Sequence, residues 1–235
     1  MSKKKIIAII PARSGSKGIK NKNIKYLNNR PLIAYTIDAA LRCKFIDYVF
    51  VSTDSKKYAE ISIEYGANVP FLRSKKNSSD NASSIDAVIE VLDELKKIDK
   101  NFDIIIFLQP TSPLRSFQDI HNSLNLFITK NASAVVSINK VRHPPHWCNT
   151  LPENLSMNKF IDTKYLNKPR QVFKDYFTLN GAISIFKADI IEKDFNIYKD
   201  GTYAYIMDER NSIDIDSKFD FQLAELMLKG GLNKI

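Results

Sequence analysis

Short apolar runs alternate with amphipathic stretches along the chain. Four runs are almost continuously apolar and rich in β-branched residues, as is typical of strands buried on both faces of a sheet: 6–10, 48–52, 104–108 and 134–138. Three stretches repeat apolar residues every three or four positions and are predicted helices: 32–41, 55–65 and 120–128. Strands and helices in alternation predict an α/β fold with a mostly parallel sheet.

This pattern stops after residue 139. The segment 140–179 has little periodicity and contains four of the nine prolines. It is too long for a plain loop in a compact domain, and its aromatic residues could pack against another surface. We therefore expect one domain, 1–235, in which 140–179 is an inserted dimerisation or lid segment. Strand patterns return at 181–186 and 203–207, and a last helix is predicted over 219–228.

Composition narrows the class of protein. With 235 residues, 44% hydrophobic and 26% charged, the chain suits a single globular domain. No apolar run approaches the roughly 20 residues of a membrane-spanning helix. The N-terminal apolar run ends at Pro11, short of the roughly 7–15 residues of a signal-peptide core, so we expect a cytoplasmic protein without a membrane partner. Cys43 and Cys148 predict neither a disulfide framework nor a metal site. The net charge of +9 allows an anionic partner, or only a lysine-rich composition.

A basic, glycine-containing loop follows the first strand. Gly15 and Gly18 would let backbone N–H groups approach an anion, and Arg13, Lys17 and Lys22 would neutralise several negative charges. The carboxyl end of a strand is also where α/β sheets bind ligands. The loop matches neither the dinucleotide-binding nor the Walker A fingerprint. It predicts a polyphosphate site, and a solvated basic turn is the alternative.

A pair of aspartates lies near the C-terminus. In a strand over 212–216, Asp214 and Asp216 would share one face and repel each other unless a cation lay between them. Magnesium binds one or two carboxylates together with substrate phosphates. The alternative is that Asp216 or Ser217 caps the final helix, with Asp220 in its first turn. The residues alone leave both interpretations open.

Two more motifs are candidates for site walls. Gln109-Pro110-Thr111-Ser112-Pro113-Leu114-Arg115 comes directly after a predicted strand, and its prolines suit a rigid loop or a mere turn. The second is the serine-rich stretch 79–84, taken together with Phe71-Leu72-Arg73. These residues could line a pocket, or the serines and Asp80 could simply cap the helix that follows.

Together these motifs resemble those of the acylneuraminate cytidylyltransferases. Six matches occur in the family's order: 10–18 with Lys22-Asn23, 79–84, 109–115, 169–171, 180–183 and 212–216. The related enzymes for the eight-carbon sugar Kdo lack Ser-Lys-Gly in the first loop and are less similar. The resemblance implies a Rossmann-like, nucleotidyltransferase-type sheet. It also implies transfer of cytidine monophosphate from cytidine triphosphate (CTP) to the anomeric hydroxyl of an acidic nine-carbon sugar, with release of pyrophosphate.

The resemblance also implies roles for individual residues. Those expected to bind the nucleotide are Ala12, Arg13, Gly15, Ser16, Lys17, Gly18, Lys22, Asn23, Arg73, Ser79, Asp80 and Ser83. Those expected to take part in catalysis are Arg13, Lys22, Asp214 and Asp216, the two aspartates as ligands of Mg²⁺ or Mn²⁺. Those expected to face the sugar are Gln109, Arg170 and Asn180. A homodimer is implied, and the basic loop then requires no nucleic acid partner.

Departures from the family suggest which sugar is bound. His146, Thr178 and Ser184 stand where sialic acid enzymes tend to carry a lysine, an arginine and a tyrosine. A less polar pocket favours legionaminic or pseudaminic acid over N-acetylneuraminic acid. Two other functions fit parts of the pattern: another sugar nucleotidyltransferase, and an RNA-binding module with a GxxG loop at 15–18. Such RNA-binding loops join two helices, whereas this one follows a strand.

Overall fold

The computed structural model describes residues 4–15, 18–79, 82–191 and 195–230. Strands and helices alternate through most of it. In chain order they are β1 (Ile6–Pro11), β2 (Tyr26–Leu27), β3 (Arg30–Pro31), α1 (Leu32–Leu41), β4 (Tyr48–Ser52), α2 (Lys56–Glu64), α3 (Ser84–Lys96), β5 (Ile104–Leu108), α4 (Phe117–Thr129), β6 (Ala134–Lys140), β7 (Phe177–Lys187), β8 (Thr202–Ile206) and α5 (Lys218–Leu228). The predicted α/β class is confirmed.

Six of the strands form one sheet in the order β4-β1-β5-β7-β6-β8. β1 lies parallel to β4 and β5, and β6 lies parallel to β8. β7 is inserted between β5 and β6 and is antiparallel to both. The sheet is therefore mostly parallel, as predicted, with a reversed strand that the apolar pattern did not indicate.

Helices cover both faces of the sheet, which explains the continuous apolar runs. Side chains of β1 alternate between two cores: Ile6, Ala8 and Ile10 pack in the core that includes α1 and α4, and Ile7 and Ile9 in the core that includes α3. Strands buried on both faces have no polar side to alternate with the apolar one.

A third, smaller core joins the basic loop to the C-terminal segment. It contains Ile19 from the loop, Leu27 from β2, Ile215, and Phe221 from α5. The β2–β3 hairpin beside it turns at Asn28 and Asn29, whose positive φ values of 43° and 65° asparagine tolerates well. This core places the segment that carries the two aspartates against the loop that was predicted to bind phosphates.

Serine side chains cap the N-termini of most of the α-helices. Ser55, Ser83, Ser116 and Ser217 each accept a hydrogen bond from a backbone N–H group in the first turn of α2, α3, α4 and α5. The longest of these helices have 13 residues. No helix in the described part of the chain has the length and apolar character needed to cross a membrane.

The predicted insertion is shorter than expected at both ends. β6 and β7 remain paired as far as Lys140 and Phe177, so 140 and 177–179 belong to the sheet. Between them, residues 141–176 form an arm that contains three short 3-10 helices: Pro145–Trp147, Thr163–Tyr165 and Arg170–Val172. His146 organises its interior, because its ring stacks on Tyr165 at 3.9 Å and its Nε2 lies 2.7 Å from the Tyr176 hydroxyl.

Candidate active site

A cleft of about 410 Å³ opens at the carboxyl ends of β1 and β5, where strands of an α/β sheet leave room for ligands. Most of the predicted nucleotide residues meet there. The predicted residues that line it are Arg13, Gly18, Lys22, Asn23, Arg73, Ser79, Ser83, Gln109 and Asp216. Ala82, Ser84, Pro110 and Thr111 also line it and belong to the two motifs predicted as site walls, whereas Pro11, Asn77, Ala87 and Phe107 were not singled out in the sequence.

The first part of the basic loop is fixed by hydrogen bonds to its neighbours. Ser14 donates from its backbone N–H and its hydroxyl to the two oxygens of Asp54, at 2.8 and 2.7 Å. Arg13 donates from Nη1 to the Ser79 carbonyl at 3.1 Å, and its own carbonyl accepts from Asn23 at 3.3 Å. The Arg13 guanidinium thus spans the cleft between the loop and the serine-rich stretch, with its position set from both sides.

Other predicted loop residues have different positions. Ala12 is buried beneath the loop and donates its backbone N–H to Ser52 at 2.8 Å, so it supports the cleft but does not line it. Gly15 lies in the loop away from the described lining of the cleft. Ser16, Lys17 and Asp80 lie outside the described residues.

Lys22 joins the loop to the C-terminal segment. Its Nζ donates to the Ile215 carbonyl at 2.6 Å and to the Asp216 carboxylate at 3.2 Å. Only 15% of the Lys22 side chain is exposed, against 81% of the Asp216 side chain. The backbones approach closely here, because a Cβ on Gly18 would lie 2.9 Å from the Asp216 carbonyl oxygen. Glycine at position 18 therefore permits the contact that brings a cation and a carboxylate to the same wall of the cleft.

Arg73 and Ser83 form the opposite wall. Arg73 donates to the Ser52 hydroxyl at 2.9 Å and to the Ser52 carbonyl at 2.7 Å. Burial lowers the pKa of Arg73, while the nearby charges of Asp54 and Glu90 act in the opposite direction. The Ser83 hydroxyl accepts from the Ile85 N–H at 3.1 Å, so the capping interpretation of this serine is right, and the residue still lines the cleft.

The two aspartates do not lie in a strand, and this prediction was wrong. Residues 212–216 form no strand and pair with no strand among the described residues. Ile213 and Ile215 nevertheless pack inward, so the alternation of side chains is real. The helix cap is Ser217, which forms a capping box with Asp220, and this leaves the Asp216 side chain free to line the cleft.

Asp214 is more enclosed than Asp216. The pKa of Asp214 is raised overall, mainly because the side chain is buried. A hydrogen bond with the Thr111 side chain acts in the opposite direction, and the charge of Asp216 raises the pKa further. One of its oxygens, Oδ1, is buried without a hydrogen-bond partner in the described part of the protein. A buried carboxylate oxygen without a donor is what a cation would satisfy. The described residues contain no group of three or more candidate ligands, but Mg²⁺ needs only one or two carboxylates when phosphates supply the rest. Asp216 lines the cleft and Asp214 does not, so one carboxylate faces the space where a magnesium ion would be held jointly with a nucleotide, and the second lies buried two residues away.

A second cavity of about 280 Å³ adjoins the cleft and shares Ser84, Phe107 and Gln109 with it. Its remaining lining is mainly apolar: Ile85, Val136, Leu179, Gly181, Ser184, Phe186, Ile197 and Tyr198. Ser184, one of the three positions at which the sequence departs from the sialic acid enzymes, lies in this lining. Phe107 could have been found from sequence, since it follows the alternation of β5, but nothing in the sequence places Tyr198 near Gln109.

The other two predicted sugar residues lie elsewhere. Asn180 is buried in β7, where it accepts from the Ser137 hydroxyl at 2.6 Å and donates to the Ser212 hydroxyl at 3.0 Å, so its amide supports the sheet and does not line either cavity. Arg170 belongs to the arm and lines a third cavity, of about 320 Å³, with Lys140 and Lys174. Within this single chain, the structure does not bring Arg170 to the cleft.

The cleft and the sheet that carries it define a nucleotide-binding enzyme of the α/β class. The chain belongs to the cytidylyltransferase family, whose model matches residues 7–217. The predicted enzyme class, a nucleotidyltransferase, is confirmed with it.

The chain is similar to individual cytidylyltransferases in sequence and in fold. The chain is 35% identical over 229 residues to the CMP-N,N'-diacetyllegionaminic acid synthase of Legionella pneumophila, covering 96% of this chain and 97% of that protein. It is 38% identical over 221 residues to the N-acylneuraminate cytidylyltransferase of Escherichia coli. That match covers 94% of this chain and 51% of the longer Escherichia coli protein. In fold it resembles a CMP-2-keto-3-deoxy-manno-octonic acid synthetase complexed with CTP, with a TM-score of 0.70 at 16% identity over 97% of this chain and 100% of that one.

Proposed function

We propose that the protein transfers cytidine monophosphate from CTP to the anomeric hydroxyl of a nonulosonic acid, releasing pyrophosphate. The observation that carries the proposal is the junction of Lys22, Gly18 and Asp216, where a cation and a carboxylate meet at the wall of a cleft that also holds Arg13. Nucleotidyl transfer needs this combination, because negative charge grows on the phosphoryl oxygens and on the leaving pyrophosphate.

The chain's own cations would act on the triphosphate. Arg13 and Lys22 are held in place by neighbouring carbonyls, so they would stabilise developing charge without first reorganising. The anomeric oxygen would form a bond to the α-phosphorus while the bond from that phosphorus to the bridging oxygen breaks and pyrophosphate leaves. The hydroxyl proton would pass to solvent, and no covalent enzyme nucleophile is required.

Asp214 and Asp216 would hold the magnesium ion, or manganese. The ion would neutralise phosphate charge and lower the pKa of the attacking hydroxyl. Asp216 already faces the cleft, and the unpartnered Oδ1 of Asp214 would gain a partner.

The second cavity would accept the sugar. Its apolar lining and Ser184, which replaces a phenol, suit a deoxy sugar with acylamino groups better than a hydroxyl-rich side chain. We therefore propose legionaminic or pseudaminic acid in preference to N-acetylneuraminic acid. His146 and Thr178, which carried the same argument from sequence, do not line this cavity in the described chain, so Ser184 is the residue that supports it.

A homodimer would complete the site. The arm exposes apolar side chains that a partner subunit could cover: Leu151, Leu155, Met157, Leu166 and Val172. Arg170 lies in the arm with other cations and would reach an acidic sugar only in the second cavity of a partner subunit. A guanidinium suits the carboxylate that nonulosonic acids share.

Pyrophosphate release tests the function directly. Each of the four nucleoside triphosphates would be combined with legionaminic, pseudaminic, N-acetylneuraminic and eight-carbon Kdo acids, with and without a chelator. We expect release with CTP and a nine-carbon acid, and none in the chelator. Preference for Kdo, or equal use of all nucleotides, would contradict the proposal.

The sugar preference has its own test. Ser184→Tyr restores a phenol and should raise kcat/KM for N-acetylneuraminic acid relative to legionaminic acid, whereas Ser184→Phe fills the same space without a hydroxyl and should not. If wild-type protein already prefers N-acetylneuraminic acid, the preference is refuted and the cytidylyl transfer stands.

A further inference from the structure

Arg115 is a buried arginine at the end of the loop that walls the cleft. Only 2% of it is exposed. Its guanidinium donates to three neutral oxygens: Nη1 to the carbonyls of Gln109 at 3.0 Å and Ala182 at 2.9 Å, and Nη2 to the Thr36 hydroxyl at 2.7 Å. These acceptors come from the loop itself, from β7 and from α1, so one side chain joins three elements.

Such burial is unfavourable for a cation. Loss of hydration lowers the pKa of Arg115 to about 9, although the charge of Asp119 acts against this. Its Nε has no hydrogen-bond partner among the described residues. An apolar side chain of similar size could fill the same space without this cost. The position of the acceptors therefore matters more than the volume filled.

Two of the three acceptors, the carbonyls of Gln109 and Ala182, fix the surroundings of Gln109. Arg115 holds the Gln109 carbonyl directly, and through Ala182 it holds β7 next to Gly181. Gly181 has a φ of +67°, and a Cβ there would lie 3.2 Å from Gln109 Nε2, so the carboxamide rests against the bare backbone. The Thr111 hydroxyl oxygen lies 3.4 Å from Gln109 Oε1. Because Gln109 lines both the cleft and the second cavity, its orientation matters to any ligand that spans them.

We propose that Arg115 is a positioning residue for substrate: it fixes the Gln109 backbone so that the carboxamide faces the sugar beside the nucleotide. The inference rests on the proposed function. A residue that acts through Gln109 should affect sugar binding selectively, whereas a residue that only stabilises the fold should weaken nucleotide and sugar alike.

The test measures binding without turnover. Isothermal titration uses a CTP analogue with a methylene group in place of the α,β-bridging oxygen, and then legionaminic acid in the presence of that analogue. In Arg115→Lys, a single ammonium cannot reproduce the forked contacts to three acceptors. We expect the sugar Kd to rise about tenfold and the analogue Kd to change less than about twofold. Arg42→Lys, at an exposed arginine that directly follows α1, is the matched control and should change neither.

A double-mutant comparison identifies the route. If Arg115 acts through Gln109, then Gln109→Ala with Arg115→Lys should bind sugar no more weakly than Gln109→Ala alone. Additive losses, or a parallel loss of analogue binding, would overturn the proposal. If Arg115→Lys does not fold, Thr36→Val is the second variant, because it removes the third acceptor of the guanidinium. The sugar Kd of Thr36→Val should rise selectively, by a smaller factor than that of Arg115→Lys. A sugar Kd equal to that of the wild type would also overturn the proposal. Failure of the proposed function would appear differently, as wild-type protein that binds the analogue but no nonulosonic acid.

Discussion

Replacing Gly18 with alanine adds one carbon atom where two backbones already touch. The new Cβ would lie 2.9 Å from the Asp216 carbonyl oxygen, whereas ordinary contact begins at 3.4 Å, so the segments must separate by about 0.5 Å. Neither partner is a flexible side chain that could rotate away. Overpacking of this kind costs about 1–3 kcal/mol, which in a domain of this size lowers Tm by about 2–12 °C.

Activity should fall for the same reason. Lys22 is bonded to both Ile215 and Asp216, so separating the segments displaces the cation from its place in the cleft. A misplacement of about 1 Å can cost a hundredfold in rate, so half that distance should cost about tenfold in kcat.

Differential scanning calorimetry of Gly18→Ala beside Gly15→Ala measures the stability effect. A Cβ on Gly15 meets no described atom within 4 Å, so alanine there should leave Tm unchanged or slightly raised through a less flexible unfolded chain. Equal Tm values for the two variants would refute the reasoning from the Gly18 contact.

Three further predictions concern charge and assembly. Arg13→Ala should lower kcat by about 10²–10³, the usual effect of losing one charge-stabilising donor, while Arg42→Ala should not, and near-normal steady-state turnover in Arg13→Ala would contradict a triphosphate at this position. Asp214→Asn should abolish turnover but raise Tm at neutral pH without divalent cations. Because burial raises the pKa of Asp214, the carboxyl binds its proton more tightly in the folded state. The protonated carboxyl therefore stabilises the fold fully below the ordinary aspartate pKa, and this stabilisation is lost as pH rises through the raised pKa. The Tm difference from wild type should therefore vanish near pH 4, and a lower Tm of the variant at pH 7.5 would count against the buried carboxylate. Val172→Asp should shift a dimer toward monomer in light scattering and reduce sugar turnover, whereas a wild-type protein that is monomeric and fully active would exclude the arm from the site.

Local patterns predicted most of the elements. The helix over Leu32–Leu41 and the strands Tyr48–Ser52 and Ile104–Leu108 have the predicted bounds, because burial on both sheet faces imposes continuous apolar runs on strands and a period near 3.6 on helices. The direction of β7 could not be obtained in this way, since a parallel and an antiparallel central strand bury the same side chains. Its place between β5 and β6 depends on pairing over long sequence distances.

The candidate site was predicted unevenly for a similar reason. Motif residues next to strand ends, such as Arg13 and Gln109, line the cleft because the ends of β1 and β5 are adjacent in the sheet. The sequence predicts a strand at Asp214 and Asp216 because apolar and polar side chains alternate there. A segment that packs against a core shows this alternation whether or not its backbone pairs with a neighbouring strand. Asn180 was assigned to the sugar, but its hydrogen bonds to Ser137 and Ser212 are contacts between distant segments that no local motif encodes.

The arm begins and ends at one rung of the ladder between β6 and β7. Lys140 pairs with Phe177, and the Val141 N–H donates to the Tyr176 carbonyl at 2.9 Å, so the two points of attachment are side by side. Lengthening a loop whose ends are already joined adds little closure entropy, because that entropy grows only with the logarithm of loop length. Residues 141–176 could therefore be exchanged for other sequences without breaking the pairing of β6 with β7, and without changing the strands β1 and β5 whose carboxyl ends carry the cleft.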